Sequence, residues 1–164
     1  AMAFGTGEHA TTRGVARLLQ NLSPMPANVV DIGAGSAVLA ICAAKLGASR
    51  VVAVELDEDA IGNAEQNVIA NNVEDRVHVI QGDATTLLPL LAPVQLVLAN
   101  IISTVLKELL PIIAESLAPG GHAILSGILQ TETEVMLGEI EKGGWTVIAE
   151  DREDAWWSVL IARP

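Results

Sequence analysis

The stretch Val29-Val30-Asp31-Ile32-Gly33-Ala34-Gly35-Ser36-Ala37-Val38-Leu39-Ala40 decides the fold. An apolar strand runs into Asp31, breaks at Gly33 and Gly35, and reopens as an apolar helix at Ser36. Paired glycines let the backbone turn tightly and approach a ligand with no side chain in the way. The helix that follows offers unpaired N–H groups and the positive end of its dipole. A second strand, Val51-Val52-Ala53-Val54, ends on Glu55, 22 positions after Gly33. That is close to the spacing of roughly 20 residues that sets a carboxylate on a ribose hydroxyl. Together these features describe a nucleoside-binding crevice at the carboxyl ends of parallel strands.

The glycines also bear on which nucleoside. A dinucleotide fingerprint continues G-x-G-x-x-G, and position 38, where the third glycine belongs, is Val38. The pyrophosphate of NAD is therefore the weaker reading. S-adenosylmethionine asks for less: close backbone approach, a carboxylate for the ribose, and a second acid for the adenine. Asp83 is the candidate for that second acid, following the strand Val77-His78-Val79-Ile80 in Gln81-Gly82-Asp83-Ala84. Asp31 with its glycines, Glu55 and Asp83 each stand at a strand end, and the series says more than the glycines alone. The plain alternative is a Rossmann-like sheet with ordinary glycine turns and solvated acids.

Composition narrows the class. The 164 residues, 51% hydrophobic and 18% charged, make one domain with a substantial core and exclude a disordered chain. No apolar run reaches the roughly 18–20 residues needed to span a bilayer, and Ala1-Met2-Ala3-Phe4-Gly5-Thr6-Gly7 lacks the regions of a signal peptide. A soluble cytoplasmic domain is expected. The single cysteine, Cys42, excludes an intrachain disulfide and reads as a small core hydrophobe. The net charge of −11, with nine dispersed basic residues, disfavours nucleic acid as a partner. An acidic surface suits a basic protein substrate, or simply keeps the chain soluble.

Periodicity predicts helices over 10–22, 36–46, from Asp57 to Asn71, 104–117 and 131–142, and a leucine-rich helix or loop before Pro93. Strands are predicted over 28–32, 50–55, 77–81, 94–99, 122–126, 145–150 and 156–162. Alternating strands and helices imply a parallel sheet covered on both faces. Only five residues part the last two strands, too few for a parallel crossover of about a dozen residues. They should form an antiparallel hairpin. The fold class is α/β: Rossmann-like, with a seven-stranded, mostly parallel sheet and an antiparallel last strand, in one domain spanning 1–164. That arrangement is typical of class I S-adenosylmethionine-dependent methyltransferases.

The blocks Ala3-Phe4-Gly5-Thr6-Gly7-Glu8-His9-Ala10-Thr11-Thr12, Asp31-Ile32-Gly33-Ala34-Gly35-Ser36, Ala99-Asn100-Ile101 and Leu125-Ser126-Gly127-Ile128-Leu129 resemble the PrmA-type ribosomal protein methyltransferases. Members of that family methylate amino groups of a large-subunit ribosomal protein at the stalk base. The resemblance covers essentially the whole chain as a catalytic domain. It implies roles for Thr12, Gly33 and Glu55 at the cofactor and for Asn100 at both cofactor and substrate; Asp31 and Gly35 are cofactor-binding candidates with them, and Asp83 follows the wider methyltransferase pattern. Position 37 is Ala where the family usually has Gly, a change expected to be tolerated at a helix start. Glu8 and Ala10 replace residues more often Thr and Pro. The family's small N-terminal recognition domain is not in these 164 residues, so either an excised catalytic domain or a stand-alone relative with another substrate is expected. A cofactor-binding module that needs a recognition domain for turnover is a third possibility.

The chemistry implied is in-line displacement at a sulfonium carbon by an amine lone pair. The protein's work is alignment and a site for a neutral amine, since lysine titrates near about 10.4. Asn100 can accept from that amine through its side-chain carbonyl; the alternative is a cap for helix 104–117. Phe4 is an aromatic candidate against cofactor or substrate, or an anchor for the opening segment. His9 holds the opening loop or serves as a base, and Thr11 and Thr12 are alternative caps for the first helix. His78 and His122 read as structural, and Trp156-Trp157 should split between surface and core, with a substrate platform the weaker alternative.

Overall fold

The computed structural model describes residues 9–164. Six helices and seven strands follow one another: α1 (Ala10–Leu19), β1 (Asn28–Ile32), α2 (Val38–Lys45), β2 (Arg50–Glu55), α3 (Glu58–Ala70), β3 (Val77–Gln81), α4 (Ala84–Leu91), β4 (Val94–Asn100), α5 (Ser103–Ser116), β5 (Leu117–Leu129), α6 (Thr133–Lys142), β6 (Thr146–Glu153) and β7 (Trp156–Ala162). The sheet order is β3-β2-β1-β4-β5-β7-β6. Strands β1 to β5 pair in parallel, and β7 runs antiparallel to both β5 and β6. The expected hairpin is present, with its strands closer than predicted: β6 extends to Glu153, and the turn of Asp154 and Ala155 places Asp154 at φ 54°.

Strand alternation sorts the core into two layers. Val29, Val51, Ala53, Leu96, Leu98 and Leu160 pack under α1, α2 and α3. Val30, Ile32, Val52, Val97, Leu125 and Trp157 pack over α4, α5 and α6. With three helices on each face, the inner strands need apolar residues at successive positions rather than at alternate ones. Asp31 and Asn100 share the parity of the first layer, which sets their side chains on the α1–α2 side.

Helix ends moved by up to three residues relative to the sequence reading. α1 stops at Leu19 because Asn21 and Leu22 close the last turn with i→i−3 bonds to Leu18 and Leu19. β5 begins at Leu117 rather than 122, because buried Leu117 pairs with Val94 ahead of Pro119-Gly120-Gly121; the register shifts between Val94 and Leu96. The leucine-rich stretch before Pro93 is a helix, capped by Asp83.

Two helical glycines are unforced. A Cβ at Gly62 in α3 or Gly138 in α6 meets nothing within 4 Å. Gly62→Ala and Gly138→Ala are each expected to raise stability by roughly 0.5–1 kcal/mol, read as a shift in urea midpoint.

Candidate functional site

The order β3-β2-β1-β4-β5 reverses direction between β1 and β4, and ligands of open α/β sheets bind at such a switch point, beyond the carboxyl ends of the strands. Ile32 pairs with Ala99 there, so the glycine loop after β1 and Asn100 at the end of β4 face one crevice.

The loop is wound tightly. Gly33 and Gly35 stand at φ 68° and 57°, and the N–H groups of Gly33 and Ala34 both donate to Val54 O, at 2.9 and 3.1 Å. A Cβ on Gly33 would lie 2.6 Å from Ile101 Cγ2. Ala37 is also left-handed, at φ 66°. The alanine expected to be tolerated at a helix start instead takes a strained dihedral, costing roughly 1–2 kcal/mol relative to glycine. It delays α2 to Val38 and leaves the helix without a side-chain cap.

Asp31 compensates from below the loop. It is 1% exposed, accepts a bond from the Ala40 amide in the first turn of α2, and has Glu55 as a neighbouring charge. Burial first, and Glu55 second, hold its carboxyl up at about 7 against the ordinary 3.8, with the Ala40 bond opposing. As pH rises above 3.8 the unfolded chain releases this proton while the folded chain keeps it until about 7. Stability from this group therefore falls across that window and is level above it. Asp31→Asn is expected to flatten the pH dependence of unfolding between about 4 and about 7; an unchanged slope would assign that titration to another group.

Glu55, half-buried at the end of β2, spans the crevice floor. Its Oε1 accepts from Gly35 N at 2.7 Å and its Oε2 from Asp57 N at 2.9 Å. Asp57 caps α3, its side chain accepting from Asp59 N. Asp83 lies exposed at the end of β3, accepting from Thr85 N (2.9 Å) and Thr85 Oγ1 (2.8 Å). The Thr85 hydroxyl and amide hold its carboxyl below the usual carboxylate range. Gly82 N donates to Glu55 O at 3.0 Å, tying the ends of β2 and β3 together. The three acids and two glycines read from the sequence thus converge on one edge of the sheet.

The first helix closes the other side. Its cap is His9, whose Nδ1 accepts from Thr11 N at 3.2 Å, rather than either threonine. Thr11 and Thr12 are buried. Asn100 donates from Nδ2 to Thr11 Oγ1 at 3.2 Å. It does not cap α5, whose N-cap position is Ile102, with no side-chain cap bond. Three buried atoms of this region, Thr12 Oγ1, Asp31 Oδ2 and Asn100 Oδ1, have no hydrogen-bond partner among the described residues. Leaving such a group unpaired costs about 1–3 kcal/mol, and clusters of them mark places where a ligand completes the bonding.

Beside Asn100 opens an apolar pocket of about 450 Å³ lined by Asn100, Ile101, Ile102, Val105, Gly127 and Trp156. Trp157 is fully buried and Trp156 half-buried, the split expected for the pair. Trp156 was not among the expected site residues. Its signal lay in topology: the first residue of a reversed β7 falls at the carboxyl edge of β5, opposite Leu129. The His9 ring lies 5.4 Å from that of Trp156, tilted by 59°. Phe4 and Glu8 lie outside the described residues.

A seven-stranded sheet with β7 reversed, a glycine loop at its switch point and acids at three successive strand ends define the class I methyltransferase fold. The family model for ribosomal protein L11 methyltransferase (PrmA) matches residues 1–164, and the chain belongs to that family. The ribosomal protein L11 methyltransferase of Pelotomaculum thermopropionicum is 42% identical over 166 residues, covering 99% of this chain and 52% of the relative. That of Exiguobacterium sibiricum is 40% identical over 162 residues, covering 99% and 51%. The chain therefore spans about half the length of the curated relatives it matches. The crystal structure of a ribosomal protein L11 methylase from Lactobacillus delbrueckii subsp. bulgaricus superposes with a TM-score of 0.87 at 29% identity, over 99% of this chain and 81% of the other. An RNA methyltransferase from Salinibacter ruber, crystallised with S-adenosyl-L-homocysteine, shares the fold with a TM-score of 0.72 at 24% identity, over 92% and 90%. Among the described residues no helix is long and apolar enough to cross a membrane, and no cluster of metal-ligating side chains occurs.

Proposed function

We propose that this chain binds S-adenosylmethionine in the switch-point crevice and transfers its methyl group to amino groups of a basic ribosomal protein in the cytoplasm. Family membership supports the reaction class. The observation that carries the residue assignment is Asn100 Oδ1: a buried acceptor with no partner among the described residues, at the mouth of an apolar pocket.

The residues present fit the cofactor. The glycine loop turns at left-handed φ at the switch point, Glu55 and Asp83 are acceptors for hydroxyl and amino groups, and the Thr12 hydroxyl has no partner among the described residues. When bound, S-adenosylmethionine supplies an electrophilic methyl on a sulfonium; the chain's own work lies on the nucleophile. A lysine of pKa about 10.4 is an ammonium at neutral pH, and an ammonium has no lone pair to attack with. The walls of Ile101, Ile102 and Val105 disfavour the charged form by desolvation. Asn100 Oδ1 accepts one N–H of the resulting neutral amine, which fixes where its lone pair points. An uncharged acceptor suits this task, because a carboxylate would favour the ammonium.

The net charge of −11 supports a cationic protein partner over nucleic acid. The test is calorimetric titration with S-adenosylmethionine and with NAD, followed by radiolabelled methyl transfer to ribosomal protein L11 and to free lysine. One-to-one binding of the first cofactor alone, with label on the protein, is expected. Glu55→Ala is expected to weaken that binding by about 1–3 kcal/mol. Binding of NAD instead, or label on free lysine alone, would overturn the cofactor or the substrate reading respectively.

A further inference from the structure

We infer that Thr11, polarised by His9, is a positioning residue that dictates which end of the Asn100 amide faces the substrate. The inference rests on the role proposed above for Asn100, and it is carried by the direction of three hydrogen bonds. Thr11 N can only donate, and it points to His9 Nδ1 at 3.2 Å. That nitrogen therefore carries a lone pair and no hydrogen. Thr11 Oγ1 lies 2.7 Å from the same nitrogen, so the hydroxyl proton is committed to His9. Toward everything else Oγ1 is an acceptor. Asn100 Nδ2 stands 3.2 Å from it, and only the NH2 end of the amide satisfies that contact. An amide turned by half a revolution would set carbonyl oxygen against an oxygen whose proton is already used.

Burial makes the constraint strict. Thr11 is 0% exposed, so water does not compete for its hydroxyl, and the low local dielectric strengthens each bond. The helix carrying Thr11 is itself held close to the sheet. Ser126 Oγ donates to Thr11 O at 3.4 Å and shares a 2.7 Å bond with Ser158 Oγ. A Cβ at Gly14, one turn along α1, would lie 2.8 Å from Ser158 Oγ, so this approach needs a glycine. Arg17 reaches Asp151 at 2.7 Å, and Arg13 pairs with Glu153, pinning the helix to β6. The outcome is an amide held with Oδ1 away from Thr11, buried and free to accept.

The test compares Thr11→Val, which keeps the shape and the backbone N–H but removes the hydroxyl, with Thr11→Ser, which keeps it. Thr11→Val is expected to lower kcat for methylation of ribosomal protein L11 about tenfold, with the KM for S-adenosylmethionine unchanged; Thr11→Ser should stay within about twofold of wild type. Added to Asn100→Ala, Thr11→Val should cost nothing further. A second readout needs no turnover. In asparagine-labelled protein the Asn100 side-chain amide signals are those lost in Asn100→Ala. Their solvent exchange should accelerate in Thr11→Val and His9→Phe but not in Thr11→Ser. Because His9→Phe also uncaps α1, Thr11→Val carries the decision. Unchanged exchange and unchanged kcat in Thr11→Val would overturn the inference. Should Asn100→Ala keep full turnover, the role proposed for Asn100 fails, and the exchange data still decide whether Thr11 holds the amide.

Discussion

Asn100→Ala is expected to cut methyl transfer about a hundredfold or more, the scale on which loss of reactant alignment is felt, while one-to-one binding of S-adenosylmethionine persists. The alanine variant should also fold at least as well as the parent. Its loss removes one bond to Thr11 Oγ1, worth about 1 kcal/mol, and relieves a buried acceptor left without a partner among the described residues, which costs about 1–3 kcal/mol. The two nearly cancel, and the balance favours the variant. A residue whose removal stabilises the fold and abolishes the reaction is one kept for function. Single-turnover kinetics and thermal unfolding on the same preparation check both halves. Unchanged turnover would remove Asn100 from the chemistry; a fall in melting temperature of many degrees would make the lost activity a folding effect.

The parts of this site legible in the sequence are those where a residue type is tied to backbone geometry. Gly33 and Gly35 adopt left-handed φ, Glu55 meets the glycine loop, and the short gap before Trp156 forces a hairpin. What stayed hidden depends on contacts between distant segments. Asp83 shows as a strand-end acid, but its second job as the cap of α4 follows from where the helix starts. His9 capping α1 in place of a threonine, and the Thr11–Asn100 bond across 89 positions, require the helix to be docked first. Trp156 became a lining residue only once β7 was known to insert between β5 and β6. The helix ends were misplaced where short-range turns and strained residues, rather than periodicity, set the boundary, as at Ala37.

Gly127 carries the largest expected effect on stability, and the reason is what lies opposite it. Gly127 stands at φ 79° in β5, beside the register shift between Leu125 and Ile128. A Cβ there would lie 2.6 Å from Ile101 O, 2.9 Å from Ile101 C and 3.1 Å from Ile101 N. These are backbone atoms, unlike the Cγ2 methyl of Ile101 that faces Gly33, so no rotamer change relieves the contact. Gly127→Ala must accept a left-handed alanine, about 1–2 kcal/mol, and displace the segment after β4, about 1–3 kcal/mol more. The sum of roughly 2–5 kcal/mol is a large share of the 5–15 kcal/mol that holds typical domains together. Because Ile101 follows Asn100 and lines the pocket, the folded fraction should also lose turnover. Gly120 supplies the control. It has almost the same φ, 78°, in the same strand, with nothing within 4 Å of its Cβ position. Gly120→Ala should therefore show the dihedral cost alone, about 1–2 kcal/mol, with methyl transfer intact. Urea unfolding of both variants separates the two contributions: the excess at 127 measures the pressure of Ile101 on β5, and equal losses would mean that the β4–α5 connection yields without resistance.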